Sequence, residues 1–240
     1  MHQYIVETDV LEANLRYLLE QAGDAAFYAV VKGNGYGLGL EALSRFLWDH
    51  GVTRFAVTEV PEVRALRQAF PEAEILMLRE TGIPEELEAL IGLDAVLTLG
   101  TVSTAEGAAQ TAERLNKTAV CHLKTDTGMG RYGFLPDQAG TAARIYGLPR
   151  IQVAGCYTHF HSAFSDEGET RRQFADFQRF LDGRHHRLLR PGCARLRGRR
   201  IQAGAAGDAA GPVLRPPLQP CPGNDRRRHQ RRPAPLAGRR

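Results

Sequence analysis

Long apolar runs are absent from the sequence, and cysteine is scarce. No stretch of about 18 consecutive apolar residues occurs, so we expect no membrane-spanning helix. Residues 1–9 lack the basic start and the apolar stretch of a secretory signal peptide. The four cysteines form no Cys-x-x-Cys pair, which favours a reducing compartment and argues against a structural disulfide or zinc site. Together these absences predict a cytoplasmic protein.

Residues 184–240 lack eight residue types altogether, namely Ser, Thr, Lys, Glu, Phe, Tyr, Trp and Met. Arg, Pro, Gly and Ala supply 38 of these 57 residues. The 15 arginines against two acidic residues give the segment a net charge of +13. Because few of these side chains could fill a core and the prolines interrupt helices and strands, we predict a disordered tail.

Three interpretations of this tail remain open. Arginine-rich disordered segments can bind RNA, although RGG repeats and aromatic residues for base stacking are missing here. The tail could instead be a solvated linker. Arg, Pro, Gly and Ala are also the residues that GC-rich codons encode when they are read out of frame, and the composition changes abruptly after Gly183. We favour a frameshift as the hypothesis, so we expect no nucleic-acid partner.

Residues 1–183 carry 16 Lys and Arg against 25 Asp and Glu, a net charge of −9. Apolar segments recur in them about every 20–30 residues with little strict alternation, as in parallel strands that are buried on both faces. The candidate strands are 26–31, 54–58, 74–78, 95–99, 118–124 and 152–159. Alternating strands and helices predict an α/β fold with a parallel sheet. Six strands favour an incomplete (β/α)8 TIM-type barrel with about six of its eight strands.

Helical patterns fill the intervals between these strands. Asp9 and Glu12 have the spacing of a capping box, and leucines at helical intervals follow them. Pro61 and Pro84 are placed to begin two further helices. The other helical segments are 103–115, 138–146 and 169–181.

Lys32 follows the first candidate strand, in the segment A-V-V-K-G-N-G-Y-G-L-G at 29–39. Functional groups of a β/α barrel lie at the carboxyl ends of its strands. A lysine beside a buried strand loses solvation of its charged form, which favours the neutral amine that attacks carbonyls. Spacing alone does not separate this role from a lysine that extends into solvent. A Walker A loop is excluded, because its lysine follows the glycines.

Two more polar segments follow candidate strands five and six. K-T-D-T-G-M-G-R-Y-G-F at 124–134 contains Lys124 and Arg131, and the planar guanidinium of Arg131 suits a carboxylate or phenolate oxygen. The sixth strand ends in Y-T-H-F-H at 157–161, where His159 or His161 could stack on or polarise a ligand. No further metal ligand is evident. Each segment alone also fits a charged surface loop or a structural histidine.

Together, in this order and spacing, the three segments resemble the alanine racemase family. Segment 29–39 resembles its lysine motif, 124–134 resembles its second signature, and T-H-F at 158–160 resembles its third. The resemblance extends over residues 3–183. It implies an isomerase that interconverts L- and D-alanine with pyridoxal phosphate and supplies D-alanine for the cell wall.

The resemblance assigns roles to five residues. Lys32 would form a Schiff base with pyridoxal phosphate and act as base or acid on one face of the substrate α-carbon. Tyr36 would contact the cofactor phosphate, and His159 would lie against the pyridine ring. Arg131 would hydrogen-bond the phenolic oxygen and lie near the substrate carboxylate. Lys124 matches a lysine that can be carbamylated and then positions this arginine.

The sequence also departs from the family pattern. Gly33 and Gly35 replace alanines of the usual lysine motif, and Leu38 replaces a histidine, so serine or another amino acid stays open as the substrate. The family has two further strands and a β-rich C-terminal domain that forms a homodimer and supplies a tyrosine as the second base. Residues 184–240 contain no tyrosine, so we expect the 240-residue chain to have severely reduced racemase activity.

Two alternatives lie outside the racemases. The first is a single-domain barrel that binds pyridoxal phosphate for homeostasis without catalysis, although the T-G-M-G-R and T-H-F segments match it less well. The second is a nucleic-acid-binding protein that acts through its arginine-rich tail, whose affinity would fall steeply with salt.

Overall fold

A computed structural model describes residues 5–185 and the two short strands Gly204–Ala205 and Asp208–Ala209, which pair antiparallel. Those four residues and the end of the last helix belong to the segment for which we predicted disorder. The rest of that prediction, including the frameshift hypothesis, lies outside the described residues and stays a prediction.

Strands and helices alternate along residues 5–185. The parallel strands are β1 (Ala29–Val30), β2 (Arg54–Val57), β3 (Glu74–Met77), β4 (Leu97–Leu99), β5 (Ala119–Thr125) and β6 (Ile151–Thr158). The helices are α1 (Thr8–Ala22), α2 (Lys32–Tyr36), α3 (Leu40–Asp49), α4 (Val60–Ala69), α5 (Pro84–Gly92), α6 (Val102–Arg114), α7 (Ala139–Ala142) and α8 (Glu167–His185). Two 3-10 helices, Pro136–Gln138 and Ala143–Gly147, flank α7.

The six strands lie side by side in chain order. β1, β2 and β3 form one parallel sheet, and β4, β5 and β6 form another. A parallel bridge between Leu76 and Val96 joins the two sheets. Each strand therefore neighbours its predecessor, which is the order of strands in a β/α barrel wall.

Both faces of this wall are buried, which explains the weak alternation in the sequence. Phe55, Ile75 and Leu99 face the helices and are 0% exposed. Side chains of the opposite face, such as Ala56 and Leu76, form a separate inner cluster. Because successive residues of a strand point to opposite faces, neighbours such as Phe55 and Ala56 pack into different apolar clusters.

Three local expectations differ from the structure. α1 begins at Thr8 without a side-chain cap, so Asp9 lies in its first turn instead of capping it. The helix expected over 138–146 is short and is flanked by 3-10 turns, in a segment that Pro136 begins and Gly140 weakens. α3 was not anticipated, although its buried residues Leu40, Ser44 and Leu47 have helical spacing.

α8 extends two residues past the expected domain boundary after Gly183. Among the helices that the structure describes, none has the length and apolarity that crossing a membrane requires.

Candidate active site

The predicted site residues lie at one edge of the strand wall. Lys32 follows β1, Lys124 is the penultimate residue of β5, and His159 follows β6. Arg131 lies in the loop after β5. Since the carboxyl ends of parallel strands meet at the same edge, these four residues from distant parts of the chain share one end of the barrel.

Lys32 begins the short segment α2, which is a left-handed turn. Gly33, Asn34 and Gly35 have φ of 61°, 56° and 63°, and Tyr36 has φ of 55°. The glycines adopt this conformation without a steric penalty from Cβ, and asparagine tolerates it better than other residues do. Lys32 is half-buried at the start of the turn, whereas Tyr36 at its end is 60% exposed.

Lys124 is a buried cation beneath the site, only 1% exposed. Its Nζ donates hydrogen bonds to the carbonyl oxygens of Thr125 at 3.3 Å and Tyr132 at 3.2 Å. Loss of solvation lowers the pKa of Lys124 to about 8, the charge of Asp126 opposes this, and the charge of Arg131 adds to it. The amine is therefore still mostly charged at pH 7, and its neutral form increases as the pH approaches 8.

Asp126 holds the loop after β5 in place. Its carboxylate accepts hydrogen bonds from the backbone N–H groups of Gly128, Gly130 and Arg131, at 2.9, 3.1 and 2.9 Å. Burial raises the pKa of Asp126, but these three donors and Lys124 outweigh it, so the net pKa is lowered. The ionised carboxylate therefore fixes the loop that presents the exposed Arg131.

The same loop returns to β5 through a position that requires glycine. Gly133 has φ of +125°, and a Cβ there would lie 2.9 Å from the Asp126 nitrogen and from the Lys124 oxygen. Phe134 then exchanges backbone hydrogen bonds with Lys124 and Asp126, each of 2.9 Å. This close approach places Tyr132 between Lys124 and Arg131, whose charged groups lie 5.1 and 5.3 Å from its ring centroid.

The pKa of His159 shows that the site is rich in positive charge. It is half-buried, and burial lowers its pKa. The positive charges of Arg131, Lys124 and Lys32 lower the pKa of His159 further, in that order. Three cations from the ends of two strands, β1 and β5, thus act on one imidazole and favour its neutral form, so the site suits an anionic ligand.

Hydrogen bonds among buried hydroxyl groups support the site from inside the barrel. The hydroxyls of Tyr132 and Tyr157 both donate to the Leu78 carbonyl oxygen, and the Tyr157 hydroxyl lies 2.8 Å from Thr98 Oγ1. Burial raises the pKa of both tyrosines. His122 packs edge-on against Tyr157, and burial lowers its pKa to about 4, so this layer is uncharged at neutral pH.

α8 fixes the ends of β5 and β6 through a polar network. The hydroxyls of Thr127 and Thr158 are 2.8 Å apart, and Gln173 Nε2 donates to Thr127 at 3.4 Å. Gln173 also accepts the backbone N–H of His161 at 3.2 Å. The His161 ring pairs with Glu169 of α8 at 3.1 Å, so His161 serves the helix contact.

Sequence reasoning missed several of these supporting residues. Glu62, whose carboxylate accepts the backbone N–H of Asn34 in the turn after Lys32, and Gln173 lie outside the three motifs. Tyr157 begins the third motif, but the sequence assigned it no role. The E-V-P-E segment before Val63 gave a local signal for Glu62, because acids at the start of a helix can cap it. No local signal predicts the contacts of Gln173 or Tyr157, which depend on how distant segments pack.

Comparisons with known proteins identify the family and the fold. The family model described as "Alanine racemase, N-terminal domain" matches residues 6–197. The alanine racemase of Desulforamulus reducens is 34% identical over 181 residues, which are 74% of this chain and 49% of the relative. The alanine racemase of Methanococcus maripaludis is 38% identical over 156 residues, 64% of this chain and 42% of the relative. The chain thus spans about half the length of the curated relatives that it matches.

Solved structures resemble the fold as well. The alanine racemase of Clostridium difficile superposes with a TM-score of 0.70 and 26% identity, over 74% of this chain and 47% of that one. The Bacillus anthracis alanine racemase with bound L-Ala-P superposes with a TM-score of 0.69 and 26% identity, over 80% of this chain and 51% of that one. The expected barrel-like α/β fold is therefore confirmed. Because the family model covers most of its 240 residues, the chain belongs to the alanine racemase N-terminal domain family.

Proposed function

We propose that this chain is the pyridoxal-phosphate-binding barrel part of an alanine racemase, which interconverts L- and D-alanine. The observation that supports this best is the cationic edge, where Lys32, Lys124 and Arg131 all act on His159. The family is known to use pyridoxal phosphate, and the relatives are named alanine racemases. Alanine is therefore the proposed substrate, with serine as the second candidate.

The residues at this edge fit the chemistry of pyridoxal phosphate. The cofactor combines an aldehyde, a phenolate and a phosphate, so it needs one amine and several groups that stabilise negative charge. Lys32 offers the amine, and the surrounding cations match the anionic groups. When bound, the cofactor supplies the electron sink that stabilises a carbanion at the substrate α-carbon.

The proposed roles are those that the resemblance to the alanine racemases implies for residues at this edge. Lys32 would bind the cofactor aldehyde covalently through its amine nitrogen, with loss of water, and would move a proton at one face of the substrate α-carbon. Arg131 would bind the phenolic oxygen and orient the substrate carboxylate. Tyr36 would contact the phosphate, and His159 would lie against the pyridine ring.

Lys124 is proposed as a site of carbamylation. Its buried amine, with a pKa of about 8, is partly neutral near neutral pH. The amine nitrogen would attack the carbon of carbon dioxide, form a C–N bond and release one proton to solvent. The resulting carbamate would be an anion close to Arg131, so it would orient the guanidinium.

Three further expectations of the sequence belong to this proposal. The partner would be a second copy of the same protein, because the family forms homodimers. Cytoplasmic localisation and the low racemase activity of the 240-residue chain also remain predictions. Measuring the conversion of L-alanine to D-alanine by the purified chain tests the last of these.

Covalent trapping tests the cofactor proposal directly. The purified chain is incubated with pyridoxal phosphate, reduced with borohydride and mapped by peptide mass spectrometry. Lysine occurs only at positions 32, 117 and 124, so the modified residue can be assigned without ambiguity. We expect the adduct on Lys32 and a visible absorption band that Lys32→Ala abolishes.

Lys117→Arg is the matched control. Lys117 donates to the Ile91 and Gly92 carbonyl oxygens, away from the carboxyl edge of the strands, so this variant should retain both the band and the adduct. An adduct mainly on Lys117 or Lys124, or a band that survives Lys32→Ala, would contradict the proposal.

A further inference from the structure

The left-handed turn after Lys32 needs support from elsewhere in the fold. Asn34 and Tyr36 have positive φ although both carry a Cβ, and such residues adopt this conformation at a free-energy cost. Within the turn, the Gly35 N–H donates to the Val31 carbonyl oxygen at 2.9 Å. The Asn34 side chain accepts the Leu40 N–H at 2.9 Å. These contacts connect the turn to its own chain neighbours and do not tie it to the next strand.

Glu62 supplies that tie from the neighbouring β/α unit. Its Oε1 accepts the backbone N–H of Asn34 at 3.1 Å, across 28 positions of sequence. Its Oε2 accepts the backbone N–H groups of Thr58 and Glu59, both at 3.2 Å. One carboxylate therefore joins the turn that follows β1 to the loop that follows β2.

The carboxylate is hard to replace, because its two oxygens accept hydrogen bonds from different segments. Each oxygen faces backbone donors, one from the Lys32 turn and the other from the start of α4. A glutamine has a single acceptor oxygen, so its amide nitrogen would face N–H donors on one side. Glu62→Gln should therefore keep the size of the side chain and lose the contact on one of the two sides.

We propose that Glu62 is a positioning residue that holds α2 in its left-handed turn and thereby sets the direction of Lys32. Lys32 lies between β1, which the sheet fixes, and Asn34, which Glu62 fixes. Release of Asn34 would let the strained turn relax and would move Lys32 relative to Arg131 and His159. The role of Glu62 in holding the turn does not depend on a cofactor. Its effect on the reaction of Lys32 with pyridoxal phosphate rests on the proposed function.

Hydrogen exchange of the intact chain tests whether Glu62 holds the turn. In the wild type, the Asn34 amide should exchange at least about tenfold more slowly than the same amide in an unfolded peptide, because it donates to a carboxylate. Exchange at the unfolded rate would overturn the proposal. This measurement needs no variant, so it remains decisive if a substitution prevents folding.

Because glutamine can keep one of the two contacts, Glu62→Ala, which removes both, separates positioning from a helix-capping role. We expect exchange at residues 34–37 to accelerate about tenfold, with exchange in β5 unchanged. The rate of reductive trapping of pyridoxal phosphate on Lys32 should fall by a similar factor. If only the exchange of α4 accelerates while residues 34–37 and the trapping rate stay as in the wild type, Glu62 merely caps its helix and the proposal fails.

Glu85→Ala is the control, because Glu85 is an exposed acid in the first turn of α5. It should leave both the turn and the trapping rate unchanged. Acetylation of Lys32 relative to Lys117, measured without cofactor, gives a second readout of the direction of Lys32. If the wild type fails to trap pyridoxal phosphate, the proposed function fails, while exchange and acetylation still decide the role of Glu62.

Discussion

Lys124 makes the stability of the protein depend on pH above neutrality. Its pKa is lowered from 10.5 to about 8, so between these values the unfolded chain binds more protons than the folded one. The free energy of unfolding therefore rises with pH in this window, because the cost of burying the charge disappears as Lys124 loses its proton. Below about pH 8 the amine is charged in both the folded and the unfolded chain, so the full free-energy cost of burying its charge remains.

Lys124→Met removes this titration while keeping a side chain of similar length. We expect the free energy of unfolding of the wild type to rise relative to that of the variant, by at most about 3 kcal/mol over the whole window. Urea denaturation in cofactor-free buffer at about pH 7.5 and about pH 9.5 measures the part of the rise that precedes tyrosine ionisation. If the free energies of unfolding of the two proteins change with pH in parallel, Lys124 does not titrate in this pH range.

At the scale of elements, Gly155 of β6 leaves room for a side chain of the neighbouring strand β5. The register shifts between Cys121 and His122, opposite Gly155. A Cβ at Gly155 would lie 2.7 Å from His122 Nε2 and 2.8 to 3.0 Å from two ring carbons. The absence of a side chain at Gly155 therefore leaves the room that the His122 ring occupies inside the barrel.

Gly155→Ala should destabilise the fold by about 1–3 kcal/mol, because the methyl group overpacks the ring of His122. Chemical denaturation measures the loss, and Gly147→Ala, where a Cβ would meet nothing within 4 Å, serves as the control. If the clash is the cause, Gly155→Ala should have almost no effect on stability in a protein that already carries His122→Ala. Equal effects in both backgrounds would point to another cause.

At the scale of the whole molecule, the two three-stranded sheets meet at a narrow seam. β3 and β4 are joined by a single bridge, in which Val96 donates to Ile75 and accepts from Met77, at 2.8 and 2.9 Å. Arg67 of α4 reinforces this seam. Its guanidinium donates to the carbonyl oxygens of Pro71, Ala73, Leu93 and Asp94, at distances between 2.7 and 3.2 Å.

Arg67→Met should therefore reduce the free energy of unfolding by about 2–3 kcal/mol, since several carbonyl oxygens at the seam lose a charged donor. Arg64→Met on the same helix is the control, because Arg64 is exposed. Urea denaturation of the three proteins measures the difference. Equal stability of the two variants would show that the seam does not depend on Arg67.

Much of the fold was predictable because its signals are local. Each predicted strand overlaps an observed one, since a parallel strand that is buried on both faces is an apolar run between turn residues. Pro61 and Pro84 correctly marked the starts of α4 and α5. The short helix α7 was less predictable, because Gly140 and the neighbouring 3-10 turns leave the choice of helix type to packing.

The sequence by itself determined the family, the strand order and the position of Lys32, Arg131 and His159 at strand ends, because motif spacing and apolar runs are properties of neighbouring residues. Only the tertiary structure decided that Lys124 is buried, and that three cations act on His159. It also decided that Glu62 reaches the turn after Lys32 across 28 positions. The physical reason is that burial, charge coupling and side-chain contacts between strand ends depend on distances in space, which no local pattern encodes.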